Sequence, residues 1–299
     1  MPNKRHQHWW SHFARVVSSI SIKRSSILFV ASNVVLILIV LLYNIFIEIC
    51  DVEIHHVYIQ DDALEQIFRD KTVVQLSDLH IWSPGKREKR VIELVTQLNP
   101  DIIFLTGDYV PWKGKYKPAL DFLSRLRAKV GVWAVMGDYD YSNSRKSCLF
   151  CHKEGTGIFT KSHTVHFLRD SSELVRLPEG SFQLAGINGK EPDGEDVKKT
   201  LSSLKGDSPA IILCHNPLLF DSIPKNYRVL MLAGDTHGGQ IPLPAWFFRI
   251  LGYEKNARYN QGLFQDGNKM LFVSRGIGWS HLPIRILRKP EVAVLHFVQ

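Results

Sequence analysis

The sequence predicts a layered α/β domain preceded by one transmembrane helix. Three observations carry this reading. An uncharged apolar run lies near the N-terminus. From about residue 52 onward, short apolar runs alternate with amphipathic or turn-rich stretches. Five of those runs end in turns that carry Asp or His. The composition is 45% hydrophobic and 22% charged, which excludes wholesale disorder. Four cysteines in 299 residues exclude a disulfide-dense scaffold. The net charge of +8 resembles a nucleic-acid signature only until it is located. Lys4, Arg5, Arg15, Lys23 and Arg24 supply five of the eight charges before the first acidic residue, Glu48, and the remainder is nearly balanced. No nucleic-acid partner is expected, and no protein partner is implied.

The run over 27–47, ILFVASNVVLILIVLLYNIFI, contains no charge. As a helix it extends about 31 Å at roughly 1.5 Å per residue, the thickness of a bilayer core. It ends at Ile47-Glu48-Ile49-Cys50 without the small residues of a signal-peptidase site, so it reads as an uncleaved single-pass anchor. Basic residues precede it and acidic ones follow, with no Lys or Arg until Arg69. That bias puts the N-terminus in the cytoplasm and the remaining chain on the outer side of the cell membrane. The expected organisation is a basic tail over 1–25, an anchor over 26–48 and one domain over 49–299. His6, His8 and His12 read as part of a solvated tail rather than a metal tract.

Within the domain the elements follow in order. Val73-Val74-Gln75-Leu76 reads as a buried strand, and 88–98 as a helix with Val91, Ile92, Leu94, Val95 and Leu98 on one side. Strands follow at 102–105, 131–136, 182–185, 211–213 and 229–232, with helices over 119–126 and 196–204. No fixed-period repeat and no Pro/Gly/Ser-rich linker divides the segment.

The strand endings carry the chemistry. They read Ser77-Asp78-Leu79-His80, Thr106-Gly107-Asp108, Gly137-Asp138-Tyr139-Asp140, Cys214-His215-Asn216-Pro217 and Gly234-Asp235-Thr236-His237-Gly238-Gly239-Gln240. In open α/β sheets, ligands bind beyond the carboxyl ends of the strands, so these residues are expected on one rim. A single Asp-x-His usually caps a turn, whereas five such endings are hard to explain structurally. Carboxylate and imidazole donors in this number suit two divalent cations, which together clamp an in-line displacement at phosphorus. Neither a phosphate-cradling Gly-rich loop with Lys nor a G-x-S-x-G elbow occurs, which argues against a nucleotide motor, a kinase or a serine hydrolase.

In their order, these blocks resemble the calcineurin-like metallophosphoesterases. The Gly-Gly-Gln after His237 and the ending Val273-Ser274-Arg275-Gly276-Ile277-Gly278, Pro283-Ile284-Arg285 and Pro290-Glu291 are similar to the membrane-anchored branch resembling UDP-2,3-diacylglucosamine pyrophosphatase. The resemblance implies a four-layered α/β/β/α sandwich over the whole domain. It implies one metal on Asp78, His80, Asp108 and His237. A second would sit on Asp108 (bridging), Asp138, His215 and Asp235. Asp138 stands where the family has Asn, and Asp235 where it has the first His of Gly-His-x-His. These oxygen donors favour Mn²⁺ or Mg²⁺, with Fe²⁺ and Zn²⁺ as alternatives, and the added anionic charge weakens the pull on phosphate. Tyr139 replaces the His that assists the leaving group. A phenol donates a hydrogen bond but shuttles protons poorly near neutrality, which favours a good leaving group such as that of a pyrophosphate.

The remaining segments leave alternatives open. Cys148-Leu149-Phe150-Cys151-His152 spells a c-type haem attachment pattern, and also admits a disulfide, an accessory metal site or an ordinary helix. Cys50 reads as packing or a lipidation site, and Cys214 as packing. The stretch over 244–251, PAWFFRIL, reads either as a helix packed on the sandwich or as an interfacial surface for acyl chains, with Trp82, Trp246 and Phe247 as substrate-contacting residues. The expected function is a membrane-anchored two-metal hydrolase of a phosphodiester or pyrophosphate in a lipid-linked substrate of the lipid A pathway. The alternatives are a general phosphodiesterase or phosphatase on a soluble or cell-wall substrate, and a degenerate metal-binding scaffold.

Overall fold

The computed structural model describes residues 24–141, 150, 163–187, 192–205 and 208–299. The tail histidines and the Cys148/Cys151 motif lie outside the described residues. The chain divides into two units, Met1–Tyr43 and Asn44–Gln299. The first contains most of α1, Arg24–Phe46, an apolar helix whose large side chains from Ile27 to Ile39 are exposed. It is long and apolar enough to cross a membrane.

The second unit is built on two six-stranded sheets. The first has the order β1 (Glu53–Gln60), β12 (Glu291–Val298), β2 (Val73–Leu76), β3 (Ile102–Leu105), β4 (Gly131–Ala134) and β5 (Val165–Phe167). Strands β2 to β5 run parallel, and β12 pairs antiparallel with β2 and parallel with β1. The second sheet has the order β10 (Gly262–Asp266), β11 (Lys269–Val273), β9 (Val229–Ala233), β8 (Ala210–Cys214), β7 (Gly180–Ile187) and β6 (Ser171–Leu177). Its four central strands, β11, β9, β8 and β7, are parallel and its two edges antiparallel.

The continuous apolar runs are explained by burial on both faces, because side chains alternate along a strand. On β3, Ile102 and Phe104 join the core between the sheets, while Ile103 and Leu105 face outward onto helices. On β9, Leu230 and Leu232 point into the inter-sheet core, and Met231 and Ala233 point the other way. Helices α3 (Lys86–Leu98) and α4 (Lys117–Leu123) cover the outer face of the first sheet through Val91, Val95 and Leu123. Helix α5 (Gly194–Ser203) and the 3₁₀ turn Pro217–Ser222 cover the second through Val197, Leu201 and Phe220. The result is the four-layered α/β/β/α sandwich.

Helix α3 starts two residues before the expected 88, because the Gly85 N–H donates to Glu88 Oε2 at 2.8 Å and closes its first turn. It stops at Asn99, which adopts the left-handed conformation. Helix α4 spans 117–123 rather than 119–126. The remaining short elements are α2 (Asp62–Phe68), capped by Asp61, then α6 (Ala245–Ile250) and α7 (Glu254–Arg258).

Candidate active site

The carboxyl ends of β2, β3 and β4 in one sheet and of β8 and β9 in the other meet at one rim, and the five strand endings meet there. Asp78, His80, Asp108, Asp235 and His237 all take positive φ, between 41° and 75°. Such backbone is costly for non-Gly residues and concentrates at functional sites. Glycines permit the close approach. Gly107 sits at φ 99°, where a Cβ would lie 2.8 Å from His215 Nδ1, and a Cβ on Gly234 would collide with Ser77 and Asp78.

Two groups of donors form. Ligating atoms of Asp78, His80 and His237 lie within 4.8 Å of one another, as do those of Asp78, Asp108 and His215. Asp108 Oδ2 sits 3.4 Å from His80 Nε2 and 3.4 Å from His215 Nε2, between the two imidazoles. Asp138 Oδ1 is 3.5 Å from His215 Nε2. Asp138 Oδ1 and His215 Nε2 are both buried without a hydrogen-bond partner. A buried polar atom left unpaired is expensive, and an ion between these atoms satisfies them together. His215 Nδ1 donates to the Thr106 carbonyl at 2.7 Å, which fixes the tautomer and leaves Nε2 free to ligate.

The electrostatics point the same way. Burial pushes the Asp78 carboxyl up to about 6 and raises Asp108 well above its ordinary value. Burial lowers His80 to about 3 and His237 well below its usual range, so both imidazoles are neutral donors. Burial works against a charged His215 as well, yet Asp108, Asp138 and Asp235 together raise its pKa well above normal. This rim attracts cations. The Asp/His groups fit a binuclear metal centre.

Asp235 behaves differently from the other acids. Its backbone N–H donates to both oxygens of Asp78, at 3.0 and 3.1 Å, while its carboxylate pairs with the Lys255 ammonium. Lys255 lies on α7, 18 residues past His237, and nothing in the sequence flags it. Asp140 holds the β3 ending in place. Its buried carboxylate accepts from the N–H groups of Asp108, Tyr109, Val110 and Gly137 at 2.9–3.2 Å. Arg285, fully buried, lies 3.3 Å from His237 Nδ1 and donates to the carbonyls of Gly278 and Arg275. That anchors the C-terminal loop whose motif the sequence displayed.

Tyr139 donates its backbone N–H to Asp108 Oδ1 at 2.9 Å, and burial among carboxylates pushes its phenol far above the ordinary range. The hydroxyl therefore stays protonated at neutral pH. Asp108, Asp138, Tyr139, Asp235 and His237 open onto a groove of about 660 Å³. Its lining also includes the apolar Phe248, Leu251, Ile241, Leu243, Leu282 and Ile284, alongside the polar Gln240, Glu254, Lys255 and Asn256. Trp246 and Phe247 do not line it; Trp246 is 61% exposed, and within α6 only Phe248 is buried. Trp82 lies away from this groove, in a separate cleft beside His80. Cys214 is buried and its thiol pushed up to about 12, as an inert packing residue requires.

The profile of the calcineurin-like phosphoesterase family matches residues 71–239. The chain is 30% identical over 234 residues to the uncharacterized metallophosphoesterase YkuE of Bacillus subtilis, covering 74% of this chain and 77% of that one. It is 27% identical over 274 residues to the UDP-2,3-diacylglucosamine pyrophosphatase LpxG of Chlamydia trachomatis, covering 75% and 82% respectively. A Danio rerio transmembrane protein with a metallophosphoesterase domain is 27% identical over 248 residues. That match covers 77% of this chain and 54% of the longer Danio protein.

Proposed function

The chain belongs to the calcineurin-like phosphoesterase family, and from that premise we propose a membrane-anchored, two-metal hydrolase of a lipid-linked pyrophosphate or phosphodiester. UDP-2,3-diacylglucosamine, the substrate in the name of the chlamydial relative, is the leading candidate. Family and donor clusters together make the chain a metal-dependent phosphoesterase. One observation carries the finer reading: a groove of about 660 Å³ begins at the Asp/His rim and continues into an apolar wall. A phosphate with an acyl-bearing substituent matches a surface of that kind.

Asp78, His80, Asp108 and His237 would hold one ion, and Asp108, Asp138, His215 and Asp235 the other, with Mn²⁺ favoured by the oxygen-rich second set. When bound, the ions neutralise charge on the phosphoryl oxygens and activate the attacking water. The chain's own groups do the rest. His215 is held by Thr106, and Asp108 by the Tyr139 N–H, so both aim at one point. The Tyr139 hydroxyl donates to a phosphoryl or leaving-group oxygen without surrendering its proton, which suits a leaving group that is already a good one.

The test is metal-dependent turnover by the detergent-solubilised full chain, stripped with chelator and restored with Mn²⁺, Mg²⁺ or Zn²⁺. Release of UMP from UDP-2,3-diacylglucosamine, together with hydrolysis of bis-p-nitrophenyl phosphate, is the expected result. Hydrolysis of the diester alone reduces the reading to a general phosphodiesterase, and metal binding without turnover to a scaffold. The charge bias around the anchor argues for a domain on the outer side, whereas a UDP-linked substrate argues for the cytoplasmic side. Labelling of an introduced surface cysteine in intact cells decides between them: labelling before lysis supports the outer placement, and labelling only after lysis overturns it.

A further inference from the structure

A second cleft, of about 520 Å³, shares Tyr139 and His281 with the groove. Its walls come from four loops: His80 and Trp82 after β2, Pro111 and Trp112 after β3, Tyr139 after β4, and Trp279 and His281 before β12. The aromatic rings are mutually oriented. The Tyr139 ring meets His80 edge-on with centroids 4.8 Å apart, and meets Trp112 edge-on at 5.2 Å. Trp279 carries the Arg87 guanidinium 4.3 Å from its ring centroid, and Glu88 in turn holds Arg87 at 2.6 Å. Trp82 and Trp112 remain 61% and 51% exposed. Two exposed indoles with a third, half-buried one beside a buried polar centre are a large apolar exposure, and such patches on soluble surfaces mark binding sites.

We propose that this cleft is a nucleobase subsite, taking the base of a nucleoside phosphate whose phosphate lies at the Asp/His rim. Three features of the cleft support a flat ring. Every described lining residue is aromatic apart from Pro111, so the walls offer π-faces and edges. Among the described residues no carboxylate, amide, Lys or Arg lines it, so hydrogen bonding there is confined to the imidazoles, the indoles and the phenol. His80 and Tyr139 belong both to the cleft and to the catalytic rim, so a ring held here is joined to a phosphate there by a short linker. Because the apolar groove and the aromatic cleft share Tyr139 and His281 but differ in the rest of their lining, the two substituents of a single phosphoanhydride separate: lipid to the groove, nucleoside to the cleft. Stacking reads the π-face of any base, so the cleft distinguishes base from no base more strongly than one base from another. This assignment rests on the hydrolase reading above.

The experiment titrates the Mn²⁺-loaded full chain in detergent with uridine 5′-monophosphate and with ribose 5-phosphate, following tryptophan fluorescence and heat of binding. UMP should quench the fluorescence and bind about tenfold more tightly than ribose 5-phosphate, the low end of what base stacking contributes. Trp112→Ala and Trp82→Ala should each bring that ratio towards one, and Trp112→Phe should retain most of it. Because both indoles are exposed, these variants keep the fold. Equal affinity for the two probes in the wild type, or an unchanged ratio in both alanine variants, overturns the subsite. Hydrolysis of bis-p-nitrophenyl phosphate is measured on the same sample. If it persists while the base preference is absent, the subsite alone falls. If both are absent, the hydrolase reading falls with it. If the preference appears without hydrolysis, the subsite stands and the hydrolase reading does not.

Discussion

Two of the places where this fold buries carboxylates are neutralised in different ways. Glu291, at the start of β12, is surrounded by donors from the protein itself. Its oxygens accept from Ser274 Oγ and the Arg275 N–H at 2.9 Å, and it pairs with Arg275 Nε at 2.6 Å and with His55 Nδ1 at 2.9 Å. Burial alone raises its pKa, but His55 and the Arg275 charge outweigh burial and hold it at about 2. Asp78 and Asp108 are equally buried, yet their neighbours are imidazoles and other carboxylates, and burial prevails to raise both. A carboxylate that the chain neutralises is architecture. A pair that the chain surrounds with lone pairs and strained backbone is a receptor for outside charge, and the difference is visible in the partners.

The most damaging test of this contrast removes Asp108. Its Oδ2 stands 3.4 Å from each of His80 and His215, so one carboxylate serves both donor groups. Asp78 is the residue common to the two donor groups, while Asp108 belongs to the second and reaches His80 of the first. Asp108→Ala should abolish binding of both metals and lower turnover on the order of 10³-fold, comparable to losing a pre-organised electrostatic partner at a reacting centre. His80→Ala should weaken one metal only. Metal content by mass spectrometry checks both, and two ions retained in Asp108→Ala would transfer the bridging role to Asp78.

Glu291 supplies the opposite arm. Its folded pKa is depressed, from an ordinary 4.5 to about 2. Its contribution is therefore present above pH 4.5 and is lost as the pH falls from there towards 2. The shift corresponds to roughly 3 kcal/mol of stability at neutral pH. Glu291→Gln should lose about that much at pH 7 and flatten the acid limb of the stability curve, without changing metal stoichiometry. Thermal unfolding at pH 7 and pH 3, followed by circular dichroism, measures it. An unaltered acid limb would mean that Glu291 is not the neutralised acid described here.

Asp235 lies between the two settings, because Lys255 already neutralises it. If its carboxylate also reaches the second ion, Asp235→His frees Lys255 and replaces an oxygen donor with nitrogen. Preference should then shift toward Zn²⁺ by about 10- to 100-fold in relative affinity, the range seen for changes around a metal. Isothermal titration with Zn²⁺ and Mn²⁺ reads the ratio, and an unmoved ratio removes Asp235 from the ligand set.

Much of this was legible because the central strands are buried on both faces. Continuous apolar runs such as 102–105 and 229–232 can be read directly, and their endings bring the acids and imidazoles to the rim. The rule has exceptions, since β11 and most of β12 are buried and were not read, and the exposed strands towards the sheet edges were not legible either. β1 reads Glu-Ile-His-His-Val-Tyr-Ile-Gln with only Val57 and Ile59 buried, and β6 and β10 are largely exposed. Their pairing comes from distant partners rather than local pattern. The same limit hid Lys255, whose meeting with Asp235 depends on where α7 docks. It also hid the phase of α6. A six-residue helix with five apolar side chains gives no periodicity to show which aromatic turns inward, and packing selects Phe248.

That last point gives the smallest effect and separates two surfaces only a residue apart. Phe248 and Leu251 line the apolar groove, whereas Trp246 is exposed and Phe247 lies outside the lining. If the groove holds an acyl chain, each side chain contributes in proportion to the apolar area it covers, on the order of 1 kcal/mol for a partial contact. Leu251→Ala should therefore reduce kcat/KM for the acylated nucleotide by several-fold and leave bis-p-nitrophenyl phosphate nearly unaffected, since that diester does not extend to the wall. Trp246→Ala and Phe247→Ala should have little effect on either soluble substrate. A selective loss on the acylated substrate presented in vesicles, absent in detergent, would instead assign Trp246 and Phe247 to the membrane surface. Kinetics of the three variants on both substrates, in both settings, distinguish groove from interface. Equal losses on the diester and the lipid in Leu251→Ala would mean that the groove does not hold the lipid.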